Sequence, residues 1–179
     1  MGDHLMMPIT DKDHALGPNN APLTLVEYGD YECSYCSDAF ETVLALQRSL
    51  AGKLRFVYRN FPLVNVHPHA ELAAEMAEAV GILGEFWDMH DLLFENHNCL
   101  EFDDLLRYVD ETGVGRDRVM TIMATGQPRQ RVHNDVAGAI RSGVAGTPSF
   151  FVNGQPYEGS WALAPFEEYL KTLLHTMSV

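Results

Sequence analysis

Cys33 and Cys36, with Ser34 and Tyr35 between them, are the residues of this chain best placed by type and spacing to do chemistry. Two thiols at this spacing can close into a disulfide and reopen, so the pair is itself a redox group and calls for no bound cofactor. At a helix start they would face each other across the first turn. A helix N-terminus favours negative charge, so the leading thiol, Cys33, should ionise more readily than a free cysteine. Cys33 is therefore expected to attack, and Cys36, one turn further in, to resolve the mixed disulfide. The same pair could be half of a zinc site, which needs two further ligands. His67, His69, His97 and Cys99 are candidates, but none forms a second close pair. The alternative to an enzyme is thus a zinc-binding or redox-sensing module without turnover.

The flanking segments supply the positioning. Residues 23–28 (LTLVEY) form an apolar run that reads as a buried strand, and residues 37–50 carry Phe40, Val43, Leu44, Leu46 and Leu50 at helical spacing. Gly52 ends that helix, and residues 53–60 (KLRFVYRN) read as a second strand. This order makes a βαβ unit, whose strands run parallel through a right-handed crossover. Residues 66–144 turn helical, with Gly113, Gly126 and Gly143 as punctuation. Strand character returns at residues 149–152, followed by an Asn153-Gly154 turn and residues 155–158, a strong hairpin signal. A last helix covers residues 165–177. The expected domain plan is a loose N-terminal arm over residues 1–20, a βαβ plus ββα body from residues 21–65 and 145–179, and a helical insertion at 66–144.

Composition narrows the function class. The chain has 179 residues, 46% of them hydrophobic, enough to bury one sizeable core. Its 12 basic and 25 acidic side chains give a formal net charge of −13, which argues against nucleic acid and anionic membrane surfaces as partners. No apolar run approaches the roughly 20 residues of a membrane span, so no membrane insertion is expected. The first residues, MGDHLMMPITDKDH, lack the basic start and apolar stretch of a secretory signal. As it stands the sequence reads as cytoplasmic, or as periplasmic if a signal peptide has been removed. Three cysteines, one of them distant (Cys99), do not make a disulfide scaffold.

The strand before the pair contains Glu27. A carboxylate inside an apolar strand is costly to bury charged, so its pKa should rise, unless strand alternation points it to solvent. Asp30, Glu32 and Asp38 crowd Cys33 and should disfavour its thiolate. His67 and His69 read as helix-entry and packing residues, His90 as a core or helix-surface histidine, and Cys99 as a free thiol without a catalytic part.

Taken together, the stretch GPNNAPLTLVEYGDYECSYC, the FPLVNVHPHAELAAEMAEAV stretch, Gly146-Thr147-Pro148 and the helical block resemble the bacterial DsbA-like thiol-disulfide oxidoreductases of the thioredoxin superfamily. The resemblance covers about residues 14–175. It implies an α/β thioredoxin fold (βαβ + ββα) with an all-helical insertion, and exchange of disulfides with cysteine-containing protein or peptide substrates. By the same resemblance Glu27 is the buried acid that moves protons to and from Cys36. Pro148 is the cis-proline set against the pair, and Thr147 offers backbone groups to an extended substrate. Ser34 and Tyr35 would tune the potential and meet substrate. Many strongly oxidising relatives have histidine where Tyr35 stands, which together with the local carboxylates implies a milder oxidant. An unidentified redox partner must exchange electrons with the pair, and the chain is expected to act as a monomer. Isomerases of this family usually add a dimerisation domain, for which this chain has no room.

Overall fold

The computed structural model describes residues 4–177. Two members of the predicted βαβ unit, β2 (Leu23–Gly29) and β3 (Leu54–Asn60), run parallel, with Leu25 level with Phe56 and Glu27 level with Tyr58. The helix between them, α1 (Ser34–Ser49), starts one residue after Cys33. Antiparallel β4 (Ser149–Val152) lies on the other side of β2, and β5 (Gln155–Tyr157) closes the edge. The tight turn between β4 and β5 requires left-handed backbone at Asn153 (φ 49°) and Gly154 (φ 80°), the residues best suited to it.

One strand was not expected. β1 (His14–Leu16) pairs antiparallel with β3, giving the order β1-β3-β2-β4-β5. The N-terminal segment is therefore not a loose arm where it is described. Arg59 on β3 is buried and holds it: the guanidinium donates to both Asp13 carboxylate oxygens at 2.8 and 3.2 Å, to the Met7 and Pro8 carbonyls at 3.0 Å each, and to the Tyr28 hydroxyl at 3.1 Å. Residues 1–3 of the expected arm, and residues 178–179 of the expected body, lie outside the described residues.

Both faces of β2 are buried, as a central parallel strand requires. Leu23 and Leu25 face the core built with α1, and Val26 and Tyr28 face a second cluster with Val57, Phe151 and Ala139. Between β3 and β4 come α2 (Ala70–Ile82), α3 (Phe86–Glu95), α4 (Phe102–Thr112), α5 (Arg116–Met123) and α6 (Gln127–Arg141). Of these, α6 supplies Ala139 to the second cluster and packs against β3, so this helix completes the cover of the sheet. The last helix, α7 (Leu163–Met177), lies beside α1, with Phe166 and Leu170 fully buried. Among the described residues no helix is long and apolar enough to cross a membrane.

Candidate active site

The end of β2 and the start of α1 bring the two thiols to one spot. Cys33 is the N-cap of α1, with extended backbone (φ −79°, ψ 119°), and its carbonyl accepts the Cys36 and Ser37 N–H groups at 3.0 and 3.1 Å. No side chain among the described residues caps this end, and the Tyr35 and Cys36 N–H groups reach the Cys33 sulfur. Both cysteines are free thiols, Cys36 wholly buried and Cys33 nearly so. Ser34 is exposed, and Tyr35 stands 64% exposed beside Cys33.

Opposite the pair lies the segment before β4. Its Thr147–Pro148 peptide bond is cis, and the Cys33 thiol donates to the Thr147 carbonyl at 3.6 Å. The Thr147 hydroxyl is buried without a hydrogen-bond partner among the described residues in this dithiol form. It is within reach of the Cys33 sulfur, so it gains an acceptor once that sulfur is ionised. The Cys33 pKa is pulled down to about 5: the Cys36 thiol hydrogen bond contributes most, against the opposing effect of burial, and the Thr147 side chain and the Cys36 and Tyr35 N–H groups add to it. The Cys36 thiol goes the other way, raised by burial, by its hydrogen bond to Cys33 and by the nearby Glu27 charge. The thiols thus diverge in acidity through environment alone.

Glu27 lies beneath them. It sits mid-strand between Tyr58 on β3 and Phe150 on β4, 2% exposed, on the same face as Leu25. That both faces of β2 are covered removes the solvent-facing orientation that strand alternation had left open. One carboxyl oxygen has no hydrogen-bond partner among the described residues. Burial first, and then the charge of Cys33, push its pKa up to about 8, so the carboxyl is protonated at neutral pH. Gly29 permits this arrangement: a Cβ there would come within 2.6 Å of the Tyr58 ring and 3.1 Å of Glu27 Oε1.

The carboxylates expected to oppose the Cys33 thiolate are engaged elsewhere. Asp30, its side chain fully buried, accepts the Glu32 and Leu63 N–H groups and the His67 Nδ1–H, each at 2.8 Å. Glu32 accepts the His69 N–H at 2.7 Å and pairs with His69 Nδ1 at 2.8 Å. Asp38 is exposed on α1. Of the three carboxylates expected to disfavour the Cys33 thiolate, Asp30 and Glu32 are thus paired with histidines and Asp38 faces solvent. Sequence reasoning missed these links. The available signal was a shared two-residue spacing, Asp30/Glu32 against His67/His69.

The other expected residues lie apart from the thiols. His90 is buried on α3 in a cage of aromatic rings, its Nδ1 3.0 Å from the Tyr31 hydroxyl, and burial together with the charge of His14 drops its pKa to about 3, leaving it neutral. Cys99 is exposed in the α3–α4 loop, where its carbonyl accepts the Tyr108 hydroxyl at 2.9 Å. His97 lies near His67 and His69 at a surface hollow that Glu32 and Glu101 also line. Among the described residues no group of three or more His, Cys, Asp or Glu side chains is arranged to hold a metal ion.

Comparison with known proteins places this geometry. Residues 9–172 match the thioredoxin family. The fold is similar to a thioredoxin-like oxidoreductase from Silicibacter pomeroyi, with TM-score 0.82 and 24% identity over 93% of this chain and 94% of that one. It is also similar to BdbD from Bacillus subtilis, with TM-score 0.83 and 21% identity over 98% and 100% of the two chains. Wolbachia pipientis α-DsbA1 superposes with TM-score 0.81 at 19% identity, over 96% of this chain and 95% of the other. In sequence, residues of this chain are 46% identical over 158 positions to a protein of Salinispora arenicola named Na(+)/H(+) antiporter NhaA 1, and 38% identical over 149 to an antiporter NhaA of Herminiimonas arsenicoxydans. These matches cover 88% and 83% of this chain but only 24% of each relative, so the chain spans about a quarter of the length of the curated relatives it matches.

Proposed function

We propose that this chain, which belongs to the thioredoxin family, exchanges disulfides with cysteine-containing proteins or peptides through Cys33 and Cys36. The observation that carries the reading is the unequal pair. An acidified Cys33 faces Thr147 at the surface end of α1, while a buried, weakly acidic Cys36 lies behind it above Glu27.

In the oxidising direction, a substrate thiolate attacks Cys33 of the Cys33–Cys36 disulfide. A substrate–Cys33 disulfide forms, and Cys36 leaves as a thiolate that takes a proton, for which the protonated Glu27 carboxyl is the nearby source. A second substrate thiolate then attacks the substrate sulfur and releases Cys33 as the stabilised thiolate. The substrate leaves as a disulfide, and two electrons remain on the pair until a redox partner accepts them. In reverse, Cys36 gives up its proton and resolves the mixed disulfide. Stabilising reduced Cys33 as thiolate makes the disulfide form a better oxidant, and so favours the first direction. This differs from the milder oxidant expected from Tyr35 and the local carboxylates, because hydrogen bonds from the Cys36 thiol, the Thr147 side chain and the Cys36 and Tyr35 N–H groups hold the Cys33 pKa down at about 5.

Thr147 and Pro148 would hold an extended substrate segment against Cys33, with the exposed Ser34 and Tyr35 on the same rim. The antiport named for the relatives would reside in the three quarters of those chains outside the match. The test is insulin reduction and reoxidation of a dithiol peptide, together with elemental analysis. Cys33→Ser should abolish exchange and Cys99→Ser should leave it nearly intact. Equal losses from both would overturn the role given to Cys33, and stoichiometric zinc without exchange would replace the enzyme by a metal-binding module.

A further inference from the structure

The loop from β3 into α2 is tied to the segment that carries the thiols by Asp30, whose side chain is buried, and by Glu32. Asp30 touches the pair by its backbone: its carbonyl accepts the Cys33 N–H at 3.2 Å, and its N–H reaches the Cys36 sulfur. Its carboxylate has no access to water and is held by Glu32 N–H, Leu63 N–H and His67. Of these three partners only His67 can carry a charge. The imidazole is 24% exposed and borders the surface hollow, so it can take up a proton from solvent.

We propose that His67 is a positioning residue for exchange at Cys33: protonated on Asp30, it cancels the charge that this buried carboxylate would otherwise hold on a residue whose backbone is hydrogen-bonded to Cys33. The inference rests on the exchange reading of Cys33 and assigns its control to a residue 34 positions away in sequence. The sense of the coupling follows from Coulomb's law. With neutral His67, the Asp30 charge opposes a second negative charge on Cys33; with imidazolium, the pair is neutral and the thiolate forms more readily.

The groups around His67 act in the same direction. Burial opposes its protonation, but the Asp30 hydrogen bond and the charges of Asp30, Cys33 and Glu32 outweigh it and raise the His67 pKa. His69, His97 and Glu101 share the hollow, and His69 is committed to Glu32. Coupling is reciprocal, so a Cys33 thiolate that favours the imidazolium is itself favoured by it to the same extent. The Cys33-Ser34-Tyr35-Cys36 motif contains no cationic side chain, and His67 supplies one from the next loop.

The experiment is pH-dependent iodoacetamide alkylation of reduced protein in a Cys99→Ser background, read at Cys33 by mass spectrometry, with and without His67→Asn. Asparagine keeps a donor for Asp30 and cannot ionise. The expected result is a rise in the Cys33 midpoint of roughly half a unit or more. The rate loss should be largest below the His67 titration and vanish above it. An unchanged midpoint, or a loss equal at every pH, overturns the proposal. Should His67→Asn not fold, NMR titration of His67 in the reduced parent and in Cys33→Ser decides. A His67 pKa lower in the serine variant supports the coupling, and an equal one overturns it. Alkylation needs no disulfide partner, so a protein that alkylates as expected but fails insulin exchange contradicts the oxidoreductase reading alone.

Discussion

Cys33 and Cys36 are the same side chain in two environments, and the difference between those environments is what makes them useful. Cys33 sits at a helix N-terminus with several donors converging on its sulfur, and Cys36 is sealed between α1 and the sheet. Iodoacetamide should therefore modify Cys33 with a midpoint at about 5 while Cys36 stays unreactive up to alkaline pH. Similar midpoints for the two thiols would contradict the assignment. Glu27 leads to a stability prediction. Its folded pKa is about 8 against 4.5 for the free side chain, so the folded chain keeps a proton that the unfolded chain releases. The stability linked to Glu27 is fully present below about pH 4.5 and is lost as pH rises to about 8. Glu27→Gln removes that loss. Urea unfolding of the reduced protein should show the variant gaining about 4 kcal/mol more at pH 8 than at pH 4.5; a pH-independent difference would mean that Glu27 is ionised or exposed. The thiol pair and Glu27 were legible because their neighbours in sequence are also their neighbours in space. The partner of Asp30 was not legible because His67 arrives from another loop.

At the scale of elements, β2 and α1 position the thiols, and β3 is the strand that ties distant parts together. Arg59 on β3 holds Asp13, Met7 and Pro8, and β1 pairs with the same strand. For Asp13, burial opposes ionisation, but the Arg59 hydrogen bond, the Thr10 N–H and the charges of Arg59 and Arg131 outweigh it and lower its pKa. Arg59→Met would leave that carboxylate buried without its main partner. The expected cost is about 3–5 kcal/mol, with faster proteolysis within the first 16 residues, as read by urea denaturation and limited trypsin digestion. Unchanged stability would show that the arm is held by other contacts. The periodicities of β2, α1, β3 and the hairpin were strong enough to read directly. β1 was not, because three residues carry no period and their partners lie some 40 positions away. The role of α6 in covering the sheet was also hidden, since its place in the helical run does not say which surface it meets.

For the whole molecule, the proposed exchange site lies on a strongly acidic chain, with a net charge of −13. Association with a redox partner that presents basic side chains should weaken as salt rises, which stopped-flow measurements at two ionic strengths would show. Salt-independent association would mean that contact is governed by apolar groups such as the exposed Tyr35 ring instead. The chain spans about a quarter of its curated relatives, and in each of those the matched stretch is one part of a longer protein. What the stretch itself holds is a dithiol on a thioredoxin fold, and the exchange proposed for it requires a reversible two-electron change at Cys33 and Cys36. Equilibration with reduced and oxidised glutathione, followed by acid quenching and mass spectrometry, measures that directly. The account predicts a reversible Cys33–Cys36 disulfide with Cys99 left free, and a mixed disulfide with glutathione trapped on Cys33 when Cys36 is replaced by alanine. Absence of the Cys33–Cys36 disulfide at every glutathione ratio, or trapping on Cys99 instead of Cys33, would contradict it.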